Sequence, residues 1–264
     1  MVCTRHEEYK GNALPFVLFR DLKRTPFALS KEQNWHEDVE LQLCTSGEGE
    51  VLLNGERLDF SPGEIVVANS NVIHYTTTET VLTYTCLIIT ADFFQRMKID
   101  LKKIAFEQYI KSERMAELIL KLSEVYSSDT PLKTARLHSA LLDILIELCE
   151  KHSSTLNVTH GTKALEKTKQ AIDFIRINYG KCILLSDIAK GIGTDKYALC
   201  RDFKSITGQT ITEYLNRYRC QIAAEYIQNG TNVSESAYLC GFSNLSYFTR
   251  TFKRFMGALP SDYR

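Results

Sequence analysis

One spacing pattern occurs twice in the last third of the chain: an alanine, a glycine four residues later, then an arginine, a phenylalanine, a lysine and a final glycine. The two copies are Ala189, Gly193, Arg201, Phe203, Lys204, Gly208 and Ala237, Gly241, Arg250, Phe252, Lys253, Gly257. A small residue lets two helices cross closely, and glycine adopts the left-handed backbone of a tight turn without steric cost. The pattern therefore predicts two helix-turn-helix units in one polypeptide.

Each predicted unit has residues that start and bury its second helix. Asp195 is placed to cap the first of these helices and Ser243 or Asn244 the second, because a side-chain oxygen there accepts hydrogen bonds from free backbone N–H groups. The positions that the helical spacing buries are Leu199, Phe203, Phe248 and Phe252. The rest of each helix faces outward.

The outward positions form a candidate DNA-binding site, because the second helix of such a unit enters the major groove. They are Lys196, Tyr197, Cys200, Arg201, Lys204, Leu245, Ser246, Thr249, Arg250 and Lys253. We expect early residues to reach base edges, later basic ones to meet phosphates, and Arg201 and Arg250 to bind guanine through two hydrogen bonds each. The alternatives are helical hairpins that bind nothing, or an outward Tyr197 or Lys204 that is only solvated surface.

Between the copies, Ile211–Asn229 has the pattern of one long helix, with Thr210 or Thr212 near its start and Gly230 after its end. Such a helix is a rigid spacer. We expect it to hold the two second helices one DNA turn apart, about 34 Å.

Charge is distributed unevenly under a net charge of zero. From residue 160 on there are 15 Lys+Arg and 9 Asp+Glu, a balance of +6, and the preceding residues hold 17 and 23, a balance of −6. A basic C-terminal part is typical of a nucleic-acid-binding domain.

Other features predict a cytoplasmic protein with reduced thiols. No apolar run approaches the roughly 20 residues that span a bilayer, and the N-terminus has no apolar segment of a secretory signal. The eight cysteines have no C-x-x-C spacing, so we expect them to be buried and reduced.

The first 95 residues have a β pattern. Short apolar or alternating runs are separated by turn residues, and Asn54-Gly55 is a strong signal for a two-residue hairpin. These runs are Leu41–Cys44, Glu50–Leu53, Glu64–Ala68 and Val81–Thr90. Many short strands at this spacing predict a barrel or sandwich.

A helical period follows from about residue 92, with apolar stripes over 107–126 and 132–151. One side of these helices is expected to pack on the barrel and the other to pair with a second subunit; packing within the monomer alone is the alternative. The irregular polar segment Ser153–Gly161 is interpreted as an interdomain linker.

Residues 165–264 resemble the DNA-binding domain of the AraC family. The matching stretches are Ser186–Ala189, Tyr197–Gly208, Glu213–Arg219, Gly241–Lys253 and Pro260–Arg264. The resemblance implies that Tyr197, Cys200 and Arg201 contact bases from the first recognition helix. It implies the same role in the second for Leu245, Ser246, Thr249 and Arg250. Two departures are Leu184, where the family usually has a Ser or Thr cap, and Ser236, where it usually has a branched apolar residue.

Residues 30–90 resemble the cupin barrel that AraC-type regulators carry as an effector domain. His36, Glu40 and Gly47 keep the spacing of the second half of the first cupin motif, and Gly63 and His74 keep that of the second.

Metal-binding cupins use three histidines and a glutamate, and Asn34 stands at the first histidine's place. The remaining His36, Glu40 and His74 are enough for an iron or zinc site, but we expect neither a metal nor another cofactor. The favoured interpretation is a metal-free effector pocket; a metal site and a solvent-exposed strand face are the alternatives. The expected pocket residues are Trp35, His36, Glu40, Gln42 and His74.

These patterns predict an α+β chain of two domains: a cupin-like β-barrel followed by two helices, and an all-α domain with two helix-turn-helix motifs joined by a long helix. The expected boundaries are 1–95 for the barrel, 96–152 for a helical dimerisation segment, 153–162 for the linker and 163–264 for the DNA-binding domain.

The function that follows is sequence-specific regulation of transcription, not catalysis. We expect a homodimer that binds promoter DNA under control of an unknown small-molecule effector, without contact to membranes. Resemblance to the family adds activation and contact with RNA polymerase. The alternatives are a ligand-independent regulator whose barrel serves dimerisation or protein contact, and a metal-dependent cupin enzyme fused to a DNA-binding domain.

Overall fold

The computed structural model describes residues 14–26, 34–155 and 163–263. They form two compact units, an N-terminal β-domain (14–26 and 34–155) and a C-terminal helical domain (163–263). No helix in these ranges is both long and apolar enough to cross a membrane.

The β-domain contains three antiparallel sheets. Its strands are β1 (Phe16–Arg24), β2 (Val39–Ser46), β3 (Gly49–Leu53), β4 (Glu56–Phe60), β5 (Ile65–Ala68), β6 (His74–Thr77), β7 (Leu82–Ile89), β8 (Ile104–Phe106), β9 (Tyr109–Ile110) and β10 (Ser153–Thr155). The strand orders are β1-β7-β2-β5-β9, β4-β3-β6 and β10-β8. Asn54 and Gly55 join β3 to β4 with φ of 50° and 93°, so the predicted hairpin is confirmed.

Both faces of the five-stranded sheet are buried. On β2, Val39, Leu41 and Leu43 pack into a core shared with the helices. The intervening residues of β2 point to the opposite face, because side chains alternate along a strand. There Cys44 packs with residues of the smaller sheet such as Val51 and Phe60. This second face holds the polar groups of the candidate effector site.

The helices of the β-domain are α1 (Ala91–Arg96), α2 (Glu113–Ser127) and α3 (Lys133–Lys151). The prediction of helix from residue 107 is wrong, because Tyr109–Ile110 pairs with β5 and Ser112 caps α2 through the N–H of Met115. Residues 153–155, predicted as linker, instead pair with β8. Strand structure therefore continues past residue 95, and the remainder of the predicted linker, 156–162, lies outside the described residues.

The described residues of the helical domain form helices joined by short turns and contain no strand, in agreement with the predicted all-α domain. Its helices are α4 (Lys163–Asn178), α5 (Leu185–Gly191), α6 (Lys196–Thr207), α7 (Ile211–Gln228), α8 (Val233–Leu239) and α9 (Leu245–Met256), followed by a 3-10 turn at Pro260–Tyr263. The long helix between the copies is confirmed as α7. Thr210 begins it with a capping box, in which its hydroxyl accepts the Glu213 N–H and the Glu213 carboxylate accepts the Thr210 N–H.

The seven described cysteines form no disulfide with one another. Four of them are buried: Cys44, Cys86, Cys220 and Cys240. The prediction of burial is wrong for Cys182, which is exposed, and Cys149 and Cys200 are only partly buried.

Candidate DNA-binding surface and buried polar cluster

The first helix-turn-helix unit consists of α5, a turn and α6. Ala189 is buried between the helices, and Gly193 has φ of +63°. The carboxylate of Asp195 accepts the N–H groups of Tyr197 and Ala198, both at 2.9 Å. Turn and cap are therefore as predicted.

The second unit consists of α8, a turn and α9. Ala237 is buried, and Gly241 has φ of +80°. Asn244, not Ser243, caps α9 by accepting the Tyr247 N–H at 2.8 Å. A Cβ on Gly241 would lie 2.6 Å from the Tyr179 carbonyl oxygen and 2.8 Å from an Arg219 nitrogen, so this turn requires glycine for space as well as for conformation.

The inward and outward positions of α6 and α9 agree with the predicted spacing. Leu199, Phe203, Phe248 and Phe252 are buried. The exposed side chains are Lys196, Tyr197, Arg201, Lys204, Leu245, Ser246, Arg250 and Lys253, and the half-buried ones are Cys200 and Thr249. The Thr249 hydroxyl donates to the Leu245 carbonyl at 2.9 Å, so it is held against its own helix.

The two arginines at matched positions differ in their surroundings. Arg201 is 77% exposed and its Nε donates to the Asp202 carboxylate at 3.1 Å. Arg250 is exposed and forms no ion pair within the described ranges. Its guanidinium is the more available for a bidentate contact with a base.

The final glycine of each copy ends its recognition helix, a role that the sequence analysis did not assign. Gly208 and Gly257 adopt φ of 71° and 80°, and their N–H groups donate to the carbonyls of Lys204 and Lys253. Glycine is favoured at such helix ends because the left-handed conformation has no Cβ penalty there. The spacing of the last lysine and glycine indicates this signal.

Arg219 is a further residue that the sequence analysis did not single out. It is 8% exposed and donates to the carbonyls of Tyr179 at 2.9 Å and Lys181 at 2.7 Å. Burial lowers the pKa of its guanidinium. It ties α7 to the segment after α4, beside the turn of the second unit.

The β-domain brings His36, Glu40 and His74 together, as the motif spacing suggested. Glu40 Oε2 lies 3.3 Å from His36 Nε2 and 3.2 Å from His74 Nε2. The backbone places the two histidines side by side, because Asn34 forms a two-hydrogen-bond bridge with His74.

A polar chain extends from this cluster. The Thr76 hydroxyl donates to the Gln42 side-chain oxygen, and the Gln42 amide donates to Glu40 Oε1 at 2.7 Å. Glu40, Gln42 and His74 are at most 7% exposed, so the alternative of a solvent-exposed strand face is wrong. Trp35, which precedes His36 in the sequence, is half-buried. The Asp38 carboxylate is not part of this chain of hydrogen bonds and accepts the N–H of Ala91 at the start of α1.

The pKa values of Glu40 and His74 depend on each other, because the two side chains are buried in contact. Burial by itself raises the pKa of the Glu40 carboxyl, but the charge of His74 and hydrogen bonds from both histidines hold that pKa well below its usual range. Burial by itself lowers the pKa of His74, but the neighbouring Glu40 carboxylate raises it overall. The arrangement therefore favours a carboxylate facing positive charge.

Two capped helix-turn-helix units with exposed basic faces define a DNA-binding protein, and comparisons with known proteins assign its family. Residues 28–146 match the model of the AraC-like ligand binding domain, and residues 188–264 match that of a helix-turn-helix domain. The chain belongs to the AraC family of transcription regulators.

Individual relatives are consistent with this family assignment. The uncharacterized HTH-type transcriptional regulator YdeC of Bacillus subtilis is 23% identical over 88% of this chain and 85% of its own. The HTH-type transcriptional activator RhaS of Pectobacterium carotovorum is 26% identical over 58% of this chain and 54% of its own. The structure of wild-type ToxT from Vibrio cholerae with bound unsaturated fatty acid covers 94% of each chain, at a TM-score of 0.51 and 16% identity. The last comparison supports the two-domain fold.

Proposed function

We propose that this regulator activates transcription by binding promoter DNA with α6 and α9 in successive major grooves. One observation carries the proposal: two recognition helices of 12 residues, each capped at its start and ended by a left-handed glycine, present an arginine at matched exposed positions. The helix α7 joins the two units within one domain and fits the role of a rigid spacer.

The proposed contacts divide by chemistry. Tyr197, Cys200, Arg201, Leu245, Ser246, Thr249 and Arg250 face base edges, and Lys196, Lys204 and Lys253 face phosphates. Cys200 and Leu245 are poor hydrogen-bond partners, and the Thr249 hydroxyl is engaged with its own helix. The two arginines, apolar contacts to thymine methyl groups and DNA shape then supply most of the specificity.

The β-domain is proposed to receive a small-molecule effector at Trp35, His36, Glu40, Gln42 and His74. The convergence of His36, Glu40 and His74 and the burial of Glu40, Gln42 and His74 support this placement. The effector changes DNA binding only if it favours one arrangement of the regulator over another. ToxT, which shares the fold, has been solved with an unsaturated fatty acid bound. We propose that the β-domain acts by binding, without catalysis and without a membrane.

Apolar side chains on the helices of the β-domain support the proposal of a homodimer. Leu142 and Ile146, one turn apart on α3, are 38% and 54% exposed, and Leu120 on α2 is 44% exposed. Replacing Ile146 with Lys is expected to convert a dimer into a monomer, measured by light scattering; Glu147→Lys on the same helix is the control. An unchanged mass for Ile146→Lys would exclude this face.

We further propose that the regulator contacts RNA polymerase and acts in the cytoplasm. The HTH-type transcriptional activator RhaS among the relatives supports activation. The test maps bound sites across a genome and then measures transcription from those promoters with and without the regulator. Activation that requires both recognition helices is expected. Repression at the mapped promoters would contradict activation, and a lack of enriched sites would contradict sequence-specific binding.

A further inference from the structure

Tyr247 on the second recognition helix is not among the predicted base or phosphate contacts. It is the third residue of α9 and is 45% exposed. Its hydroxyl nevertheless reaches α7, where the side-chain amide of Asn216 donates a hydrogen bond to it at 2.9 Å. Asn216 is 8% exposed. A buried amide therefore holds the polar end of a solvent-exposed side chain in place.

The ring of Tyr247 is held as well as its hydroxyl. It packs on Phe242 in the turn of the second unit, with ring centroids 6.2 Å apart. Phe242 is 3% exposed, and the Arg219 guanidinium, which two backbone carbonyls anchor, lies 5.6 Å from its ring centroid. Tyr247 is therefore oriented before any DNA is bound, so that binding loses little of the entropy of ordering this side chain.

Tyr247 lies on the flank of α9 that faces α7. Arg254, seven residues and almost two turns later, lies on the same flank and forms an ion pair with Glu213 of α7 at 3.2 Å. The face expected to enter the major groove is a different one, which presents Ser246 and Arg250. A side chain on the flank of a helix in the groove lies beside the sugar-phosphate backbone, and phosphates accept hydrogen bonds from tyrosine as well as from basic side chains.

The hydroxyl of Tyr247 still has a proton to donate. A phenol donates one hydrogen bond and also accepts, and towards Asn216 it acts as the acceptor. No acceptor for its own proton lies among the described residues. The hydrogen bond that it accepts polarises the hydroxyl and makes it a stronger donor. A phosphate oxygen, which is charged and only accepts, is a partner that suits such a donor.

We propose that Tyr247 donates a hydrogen bond to a DNA phosphate beside the groove that α9 enters, and that Asn216 is its positioning residue. The inference rests on the proposed function, since it requires α9 to bind DNA. It adds a contact that is independent of base sequence and that fixes the position of the second recognition helix on the duplex. The first unit has no counterpart, because the matched residue of α6 is Ala198.

The test measures Kd of the full chain for a DNA site selected from a random library. Tyr247→Phe is expected to weaken binding about 10-fold, by the same factor for the selected site and for its single-base variants. The dependence of Kd on salt concentration should not change, because the phenol is uncharged and releases no counterion. Ethylation of single phosphates should reveal one phosphate that matters for wild type but not for Tyr247→Phe. Tyr126→Phe on α2, at a residue that is 39% exposed, is the matched control.

Asn216→Leu separates a positioning role from a role in stability. It is expected to weaken DNA binding of the wild type by a similar factor and to have no effect on Kd in the Tyr247→Phe background, because Asn216 acts through that hydroxyl. Equal effects in both backgrounds would overturn the positioning role.

Circular dichroism of each variant separates loss of a contact from loss of the fold. Tyr247→Phe is the decisive variant if Asn216→Leu does not fold, because it keeps the ring and changes only an exposed hydroxyl. Folded Tyr247→Phe that binds as tightly as wild type, or that relaxes base preference at one position, overturns the phosphate contact while the proposed function stands. A wild-type chain that prefers no DNA site overturns both.

Discussion

The two helix-turn-helix units share a sequence pattern but are held differently. In the first, the Cβ position of Gly193 has nothing within 4 Å, and Leu184, which precedes α5, provides no side-chain cap. In the second, Gly241 abuts Tyr179 and Arg219. The first turn therefore faces open space, and the second is part of the domain core.

The first helices of the two units differ in the same way, because α8 is better capped than α5. Asn232 caps α8 by accepting the Glu235 N–H at 2.8 Å. Ser236, the departure from the family pattern, is fully buried and donates to the Asn232 carbonyl at 2.9 Å. The start of α5 has only a partial substitute, since the Asp187 carboxylate accepts the Leu184 N–H. The repeated sequence pattern thus specifies the same backbone shape in both units, but the packing and capping around it differ. Substitutions at matched positions distinguish the contribution of the pattern from that of its surroundings.

The largest contrast is expected between the two turn glycines. Gly193→Ala is expected to lower the free energy of unfolding by about 1 kcal/mol, since only the left-handed backbone is penalised. Gly241→Ala adds a clash with backbone and guanidinium, and we expect a loss of about 3 kcal/mol or more. Urea unfolding measures both. Equal losses would show that the two turns have the same support.

The exposed arginines are expected to have intermediate effects. Arg250→Ala and Arg201→Ala should each weaken binding to the preferred DNA by about 1–3 kcal/mol. The larger loss is expected for Arg250, which forms no ion pair with the described residues. Kd values at one fixed salt concentration measure the order, and Lys163→Ala at the start of α4 is a basic control. A larger loss for Arg201 would contradict the role assigned to Asp202.

Substitutions at the N-terminal caps of α5 and α8 are expected to change the free energy of unfolding in opposite directions. Leu184→Ser adds a missing cap and should raise the free energy of unfolding by about 0.5–1 kcal/mol, whereas Asn232→Ala removes one and should lower it by about 1 kcal/mol. Thermal unfolding is the readout. Destabilisation by Leu184→Ser would show that the leucine contributes contacts that outweigh a cap.

The smallest effect is expected at Asp202. Asp202→Asn removes a negative charge beside the proposed DNA-binding surface and releases Arg201. It should tighten binding by about 0.2–1 kcal/mol, the range of exposed ion pairs. Asp129→Asn in the β-domain makes the same change of charge as a control. Weaker binding by Asp202→Asn would mean that the ion pair orients Arg201 for its contact.

Most of the correct predictions rested on residue patterns that span only a few positions of the sequence. The turn glycines, the Asp195 and Asn244 caps and the buried phenylalanines depend on neighbours within a few residues, so spacing alone predicts them. The hairpin at Asn54-Gly55 is predictable for the same reason. The position of His74 near Glu40 was indicated instead by the resemblance to the spacing of the cupin motif.

Pairings distant in the chain could not be predicted. Residues 153–155 have a polar linker composition, and only their partner β8, more than 40 residues away, makes them a strand. Arg219 has its acceptors near residue 180, and nothing in its own surroundings in sequence indicates burial. The Asp38 and Val72 carbonyl oxygens lie within hydrogen-bond distance of Nδ1 of His36 and His74, and only the folded chain establishes these contacts.

The most direct test of two recognition helices in one chain is a footprint on a DNA site selected from a random library, read base by base. We predict two protected segments one helical turn apart, with Arg201→Ala relaxing base preference in one segment only and Arg250→Ala in the other only. A single protected segment, or loss of preference in the same segment for both variants, would contradict the account.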